Sequence, residues 1–167
     1  PVLIGVSSIE EAKMFKSFLE VRGIGASVID GTNMNEEVQI LKTAGNARAV
    51  TIGTNTIGRG VNIELSKEAV KNGGLKVIRT AVNPSARIDR QLELRAGRRG
   101  NPGSYEVHLA ADDEFFKKMG VLGNSRLYSE NDIATLQEAN EKNLAQERFQ
   151  KRLLIEGLEI YQERFIR

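Results

Sequence analysis

The sequence predicts an α/β fold: a parallel β-sheet flanked by helices over residues 1–120, then a linker and one long C-terminal helix over residues 121–167. Three observations carry that expectation. Short apolar runs alternate with helix-patterned segments through short connections, and this order builds a parallel sheet with right-handed crossovers. The first run, Val2–Val6, is apolar throughout, as strands buried on both faces are. From Ile133 to Phe165 a single helical pattern carries scattered apolar residues, with Glu141-Lys142, Glu147-Arg148 and Glu163-Arg164 keeping other faces solvated.

Taken in order, residues 2–6 form the first strand. Ser8 and Glu11 then read as a capping box, with Glu11 returning to the Ser8 backbone N–H. The helix behind them carries Ala12, Phe15, Phe18 and Leu19 on one apolar face and closes near Gly23. Residues 26–30 read as a strand, and a polar loop runs through Asn33. Residues 36–44 read as a helix closed by Gly45, and 48–53 as the third strand. Residues 67–74 are a polar connection and 75–81 a fourth strand. The next helix is entered through Pro84, a residue suited to a first helical turn. Residues 104–110 give a further strand and 112–119 a short helix with acids first and lysines last, matching the helix dipole. Ser129 or Asn131 caps the final helix. At ~1.5 Å per residue it would reach ~50 Å, and Gly157 weakens it by ~1 kcal/mol without having to end it.

Two stretches carry chemistry. Residues 54–63 follow the third strand, at the carboxyl end where open α/β sheets place ligands. There Gly58 and Gly60 would let a ligand approach the backbone, with the Arg59 guanidinium between them. A tight loop whose glycines only satisfy turn geometry is the alternative. Residues 88–103 bring Arg95, Arg98 and Arg99 together, and helical spacing would set them on one face before the turn Gly100-Asn101-Pro102-Gly103 stops the helix. Guanidinium forks match phosphate oxygens, although a solvated basic surface or an RNA patch fits the same residues.

Composition narrows the choice. The chain has 167 residues, 40% of them hydrophobic, enough for one domain with a proper core and an appendage. A net charge of +2 is too mild to argue for nucleic acid, and 5% aromatics give no stacking platform. With no cysteine, disulfides and thiolate metal sites are out, and one histidine makes a histidine metal site improbable. That residue, His108, falls in an expected strand, where a structural role is the expectation. No apolar run approaches membrane-spanning length and no signal peptide is visible. A start at Pro1, directly before a strand, reads as a piece of a longer protein.

Thr54-Asn55-x-x-Gly58-Arg59-Gly60, then Gly73-Gly74-Leu75, then Arg87-Ile88-Asp89-x-Gln91-Leu92-x-x-Arg95-x-Gly97-Arg98-x-Gly100-x-Pro102-Gly103 resembles the second RecA-like nucleotide-binding domain of the SecA family, the ATPase motors of bacterial protein secretion. Each motif alone would also suit a superfamily 2 helicase. The phrase around Arg87-Ile88-Asp89, and Ala111-Asp112-Asp113-Glu114 before Phe115-Phe116, tilt it towards SecA. The resemblance implies a RecA-like P-loop NTPase fold over residues 1–120. It makes residues 121–167 the start of the long helical scaffold that links the motor to the preprotein-binding region. It implies that Arg59 and Arg98 are arginine fingers, and that Gly58, Gly60, Asn62, Gln91 and Arg95 belong to the nucleotide-contacting motifs. ATP with Mg2+ would be bound mainly by a first motor domain. The partners implied are that domain, a membrane translocon channel, an exported preprotein and, peripherally, an anionic membrane surface, with no specific nucleic acid. The implied location is cytoplasmic, at the bacterial cell membrane.

The departures point further. Asn62 stands where the family has aspartate, Leu94 where it has glycine and Glu93 where it has arginine, and residues 80–85 replace Thr-Glu-Arg-His-Glu-Ser. This drift resembles an accessory SecA paralogue. The chain has no Gly-x-x-x-x-Gly-Lys-[Ser/Thr] stretch to cradle phosphates and no paired acids for magnesium, so it is not expected to hydrolyse ATP alone. Two other readings remain open, half of a nucleic-acid helicase and a non-catalytic docking domain.

Overall fold

A computed structural model describes residues 1–31, 34–54, 62–110, 112–121 and 129–165, with the backbone alone at residue 34 and residues 157–165. Two compact units emerge: Pro1–Asn83 with Arg87–Gly123, and Pro84–Ala86 with Asn124–Arg167.

The first unit is built on five parallel strands, β1 (Val2–Val6), β2 (Ser27–Ile29), β3 (Val50–Thr54), β4 (Leu75–Arg79) and β5 (Gly103–Val107), in the order β2-β3-β1-β4-β5. Alternation along the strands separates two cores. Leu3, Ile29, Leu75 and Val77 point to one face and Ile4, Val6 and Ile52 to the other. The first face receives Leu41 of α2 (Met34–Thr43) and Leu92 of α4 (Ala86–Glu93), and the second receives Ala12, Phe15 and Leu19 of α1 (Ile9–Glu20).

Local chemistry sets the helix ends. Ser8 Oγ accepts from the Glu11 N–H at 3.1 Å, a cap worth about 1 kcal/mol. Glu11 returns one residue earlier than expected, accepting from the Ser7 N–H at 2.8 Å and the Ser7 hydroxyl. Gly23, at φ +74°, closes α1, with the Ile24 N–H reaching the Leu19 carbonyl. Phe18 departs from the expected face: it is 54% exposed, and Arg22 stacks over its ring at 3.5 Å. Gly45 also has another role. Its φ is not positive, and a Cβ there would lie 1.9 Å from the Glu64 carbonyl oxygen, so glycine is required by close approach rather than by capping.

Residues 67–74 were expected to be a plain connection, yet they contain α3 (Lys67–Lys71), capped by Ser66 and anchored by buried Ala69. Two strands are shorter than the apolar pattern suggests: β4 stops at Arg79 and β5 at Val107, so His108 lies just beyond the strand. After β5, α5 (Glu114–Lys118) is capped by Asp113, whose carboxylate also accepts from the Val82 N–H at 3.2 Å.

The second unit is dominated by α6 (Glu130–Phe165), 36 residues that run through Gly157 without a break. Ser129 caps it, its hydroxyl accepting from the Asp132 N–H at 3.2 Å while Asp132 accepts from the Ser129 N–H at 3.0 Å. Ile133, Gln137 and Asn140 are buried, and the Asn140 amide donates to the Pro84 carbonyl at 2.9 Å. Leu153 and Leu154, expected to supply apolar faces, are exposed, as are Phe149 and Ile155. No helix among the described residues is long and apolar enough to cross a membrane.

Candidate functional site

Two segments were expected to carry the site, and Ile63 of the first shares a core with Leu92 of the second. Thr54 closes β3; Gly58, Arg59 and Gly60 fall within residues 55–61, outside the described residues. From Asn62, half-buried, the chain continues along the face that carries α4. Ile63 joins Leu3 and Leu92 in one core, Leu65 packs at its margin, and the Ser66 N–H donates to the Gly45 carbonyl at 3.0 Å.

The second segment is α4 and the turn behind it. Asp89, Leu92 and Arg95 recur at i, i+3 and i+6 and form a buried stripe, whereas Gln91 is exposed. Leu92 seats directly on β1: a Cβ at residue 5 would lie 2.3 Å from Leu92 Cδ2, so Gly5 makes the room. The helix ends at Glu93, where the Arg95 and Ala96 N–H groups tighten to carbonyls three residues back. Gly97 then turns left-handed at φ +66°, and Arg98–Gly100 form a single 3-10 turn with Arg99 itself at φ +55°.

This corrects the expected arginine face. Arg95, Arg98 and Arg99 do not share a helix surface, because the left-handed break at Gly97 separates the first from the other two. Arg95 and Arg98 nonetheless lie close enough for their charges to repel. Burial, and then repulsion from Arg98, lower the affinity of the Arg95 guanidinium for its proton. Arg98 lies on the exposed side, its Nε donating to the Leu94 carbonyl at 2.7 Å, and no carboxylate among the described residues pairs with it. Two mutually repelling cations, one desolvated and the other without an anionic partner among the described residues, suit a multiply charged anion.

Sequence reasoning missed what holds α4 in place. Arg79, the last residue of β4, forms a buried ion pair with Asp89 in the first turn of α4. Asp89 also accepts from the Asn83 backbone N–H at 3.3 Å and from its side-chain amide. Tyr105 of β5 lies close enough to Arg79 for the two to interact. Burial raises its phenol above the ordinary value, and Arg79 opposes that rise. The signal in the sequence was slight: a charge ending an apolar strand, and an acid in a helical first turn.

His108 is exposed and sits 3.2 Å from Glu106 Oε2, while Glu106 Oε1 lies 2.7 Å from Lys76 Nζ. The trio is a solvated surface arrangement on another part of the sheet. Among the described residues, no cluster of three histidine, cysteine or acidic side chains could hold a metal ion.

Comparison with known proteins gives the fold and the family. The C-terminal part of the Fun30 ATPase domain, a solved structure, matches 87% of this chain and 48% of its own with a TM-score of 0.52. At 16% identity that likeness is one of fold alone, and it agrees with a RecA-like, helicase-type sheet. Protein translocase subunit SecA of Caldicellulosiruptor saccharolyticus is 38% identical over 162 residues, 96% of this chain and 19% of the relative. The SecA subunit of Christiangramia forsetii is 38% identical over 138 residues, 83% of this chain and 12% of the relative. Protein translocase subunit SecA 2 of Rhodopirellula baltica is 41% identical over 117 residues, 70% of this chain and 18% of the relative. The chain thus spans less than a fifth of each relative. The family model for the SecA P-loop domain matches residues 1–72 and 64–133, so the chain belongs to the SecA family.

Proposed function

We propose that this chain is the second half of the ATPase motor of a SecA-type protein-export translocase. It closes on ATP and Mg2+ held mainly by a first motor domain and supplies the charges that stabilise the transferring phosphoryl group. Arg59 and Arg98 are its arginine fingers. Gly58 and Gly60 let the loop approach the phosphates, and Gln91, Arg95 and Asn62 complete the contacts, Asn62 as a neutral hydrogen-bonding group. The observation that carries this reading is a pair of guanidiniums at the end of α4 close enough to repel, one buried and one exposed with no carboxylate partner among the described residues, in a chain of this family.

The chemistry is electrostatic. Charge develops on the γ-phosphoryl oxygens as the bond breaks, and a positioned arginine stabilises it by a factor of about 10³–10⁵ in rate. Closure on ATP and opening after hydrolysis are passed to α6, which begins a scaffold coupling the motor to preprotein movement through a membrane channel. The protein works from the cytoplasm, peripherally at an anionic membrane surface. Its drift at Asn62, Glu93 and Leu94 fits an accessory paralogue serving a restricted set of exports. In the full-length protein, Arg98→Ala is expected to cut turnover at least 100-fold while the ATP dissociation constant moves by less than about fivefold. Unchanged turnover would remove Arg98 from the mechanism.

A further inference from the structure

We infer that the buried Arg79–Asp89 pair is a positioning device that fixes the stance of α4 and, through it, of Arg95 and Arg98. Both residues are less than a tenth exposed, and the pair spans the end of β4 and the start of α4. Such a pair is a poor means of stabilisation, because desolvation offsets the attraction and well-packed apolar residues often do as well. Here the cost is greater, since Arg79 Nε is buried with no hydrogen-bond partner among the described residues. What ions supply and apolar side chains do not is direction. The Asp89 carboxylate is held at once by Arg79 and by the backbone and amide of Asn83. Helix α4 therefore has one azimuth and one axial register over the sheet, where Leu92 seated on Gly5 alone would allow a slide. Arg95 lies on the same buried stripe six residues on, and Arg98 is tied by its Nε to the Leu94 carbonyl. A shift of about 1 Å at such a site costs on the order of 100-fold in rate.

The inference rests on the finger reading of Arg98, and the test separates the two. In the full-length protein, Arg79→Leu with Asp89→Leu removes both charges and leaves no lone buried ion. Three quantities are measured beside wild type and Arg98→Ala: kcat, the ATP dissociation constant, and hydrogen exchange of the 90–99 amides. Positioning predicts a cooperatively folded double variant with kcat down at least tenfold, nucleotide affinity within about threefold, and faster exchange at residues 90–99. Arg79→Lys, which keeps a charge for Asp89, should recover part of kcat. Wild-type kcat and exchange in the double variant would overturn the inference. If Arg98→Ala leaves turnover intact, the finger reading fails by itself, and exchange alone decides whether the pair holds α4. Should the double variant not fold, Asp89→Asn replaces it, with the same kcat-to-affinity split and the same exchange result deciding.

Discussion

Glu106 illustrates how much of the surface is electrostatically tuned and how little of it concerns the site. The Lys76 ammonium, hydrogen-bonded at 2.7 Å, and then His108 hold its carboxyl below the usual glutamate range. A depressed folded-state value means the pair's contribution is present above the unfolded value, near 4.3, and is lost as pH falls through the folded one. The group is exposed, so the effect on stability is small. Lys76→Met is expected to return the Glu106 titration towards that of an ordinary glutamate, read by carbon NMR of the side-chain carboxyl; an unmoved titration would contradict the pairing. At this scale the sequence was legible where a residue type carries its own chemistry. Ser8 reads as a cap because a hydroxyl before an apolar run has one obvious task. Arg79 and Asp89 were not legible as partners, because their meeting depends on how a helix folds back over a strand.

Among the elements, β1, β3 and α1 were readable from apolar runs and periodicity, and α6 from the length of its pattern. Helix α3 was not, since five residues are too few to show a period, and its only marks are Ser66 and Ala69. The arginine cluster was misread in geometry for a related reason: helical spacing was extended through Gly97, which takes a left-handed turn instead. The contact between α4 and β1 gives a sharper test of packing. Gly5→Ala drives a methyl to within 2.3 Å of Leu92 Cδ2 and is expected to destabilise by about 1–3 kcal/mol in denaturant unfolding. In a Leu92→Ala background, itself costing about 2–5 kcal/mol, the same substitution should cost clearly less. Additive costs would show that Leu92 does not sit on residue 5. Gly74 is held still more tightly. At φ +79° a Cβ would lie 1.7 Å from the Pro102 carbonyl oxygen, which explains why the Gly73-Gly74 pair precedes β4.

For the molecule as a whole, the parallel sheet and the family were both reachable from the sequence, the first through alternating elements and the second through the two spaced motifs. The placing of residues 84–86 lies outside local pattern, since they belong with the helical unit although their neighbours on both sides belong with the sheet. That short segment links to α6 through the Asn140 amide on the Pro84 carbonyl, a contact 56 residues apart in sequence that no periodicity announces. As proposed, this chain is half of a protein-export motor. The most direct test is the steady-state ATPase rate of the full-length protein with translocon-bearing anionic membranes plus an export substrate, set against RNA. A protein-export motor is stimulated by membranes and substrate together and not by RNA; stimulation by RNA alone, or no turnover under either condition, would rule it out.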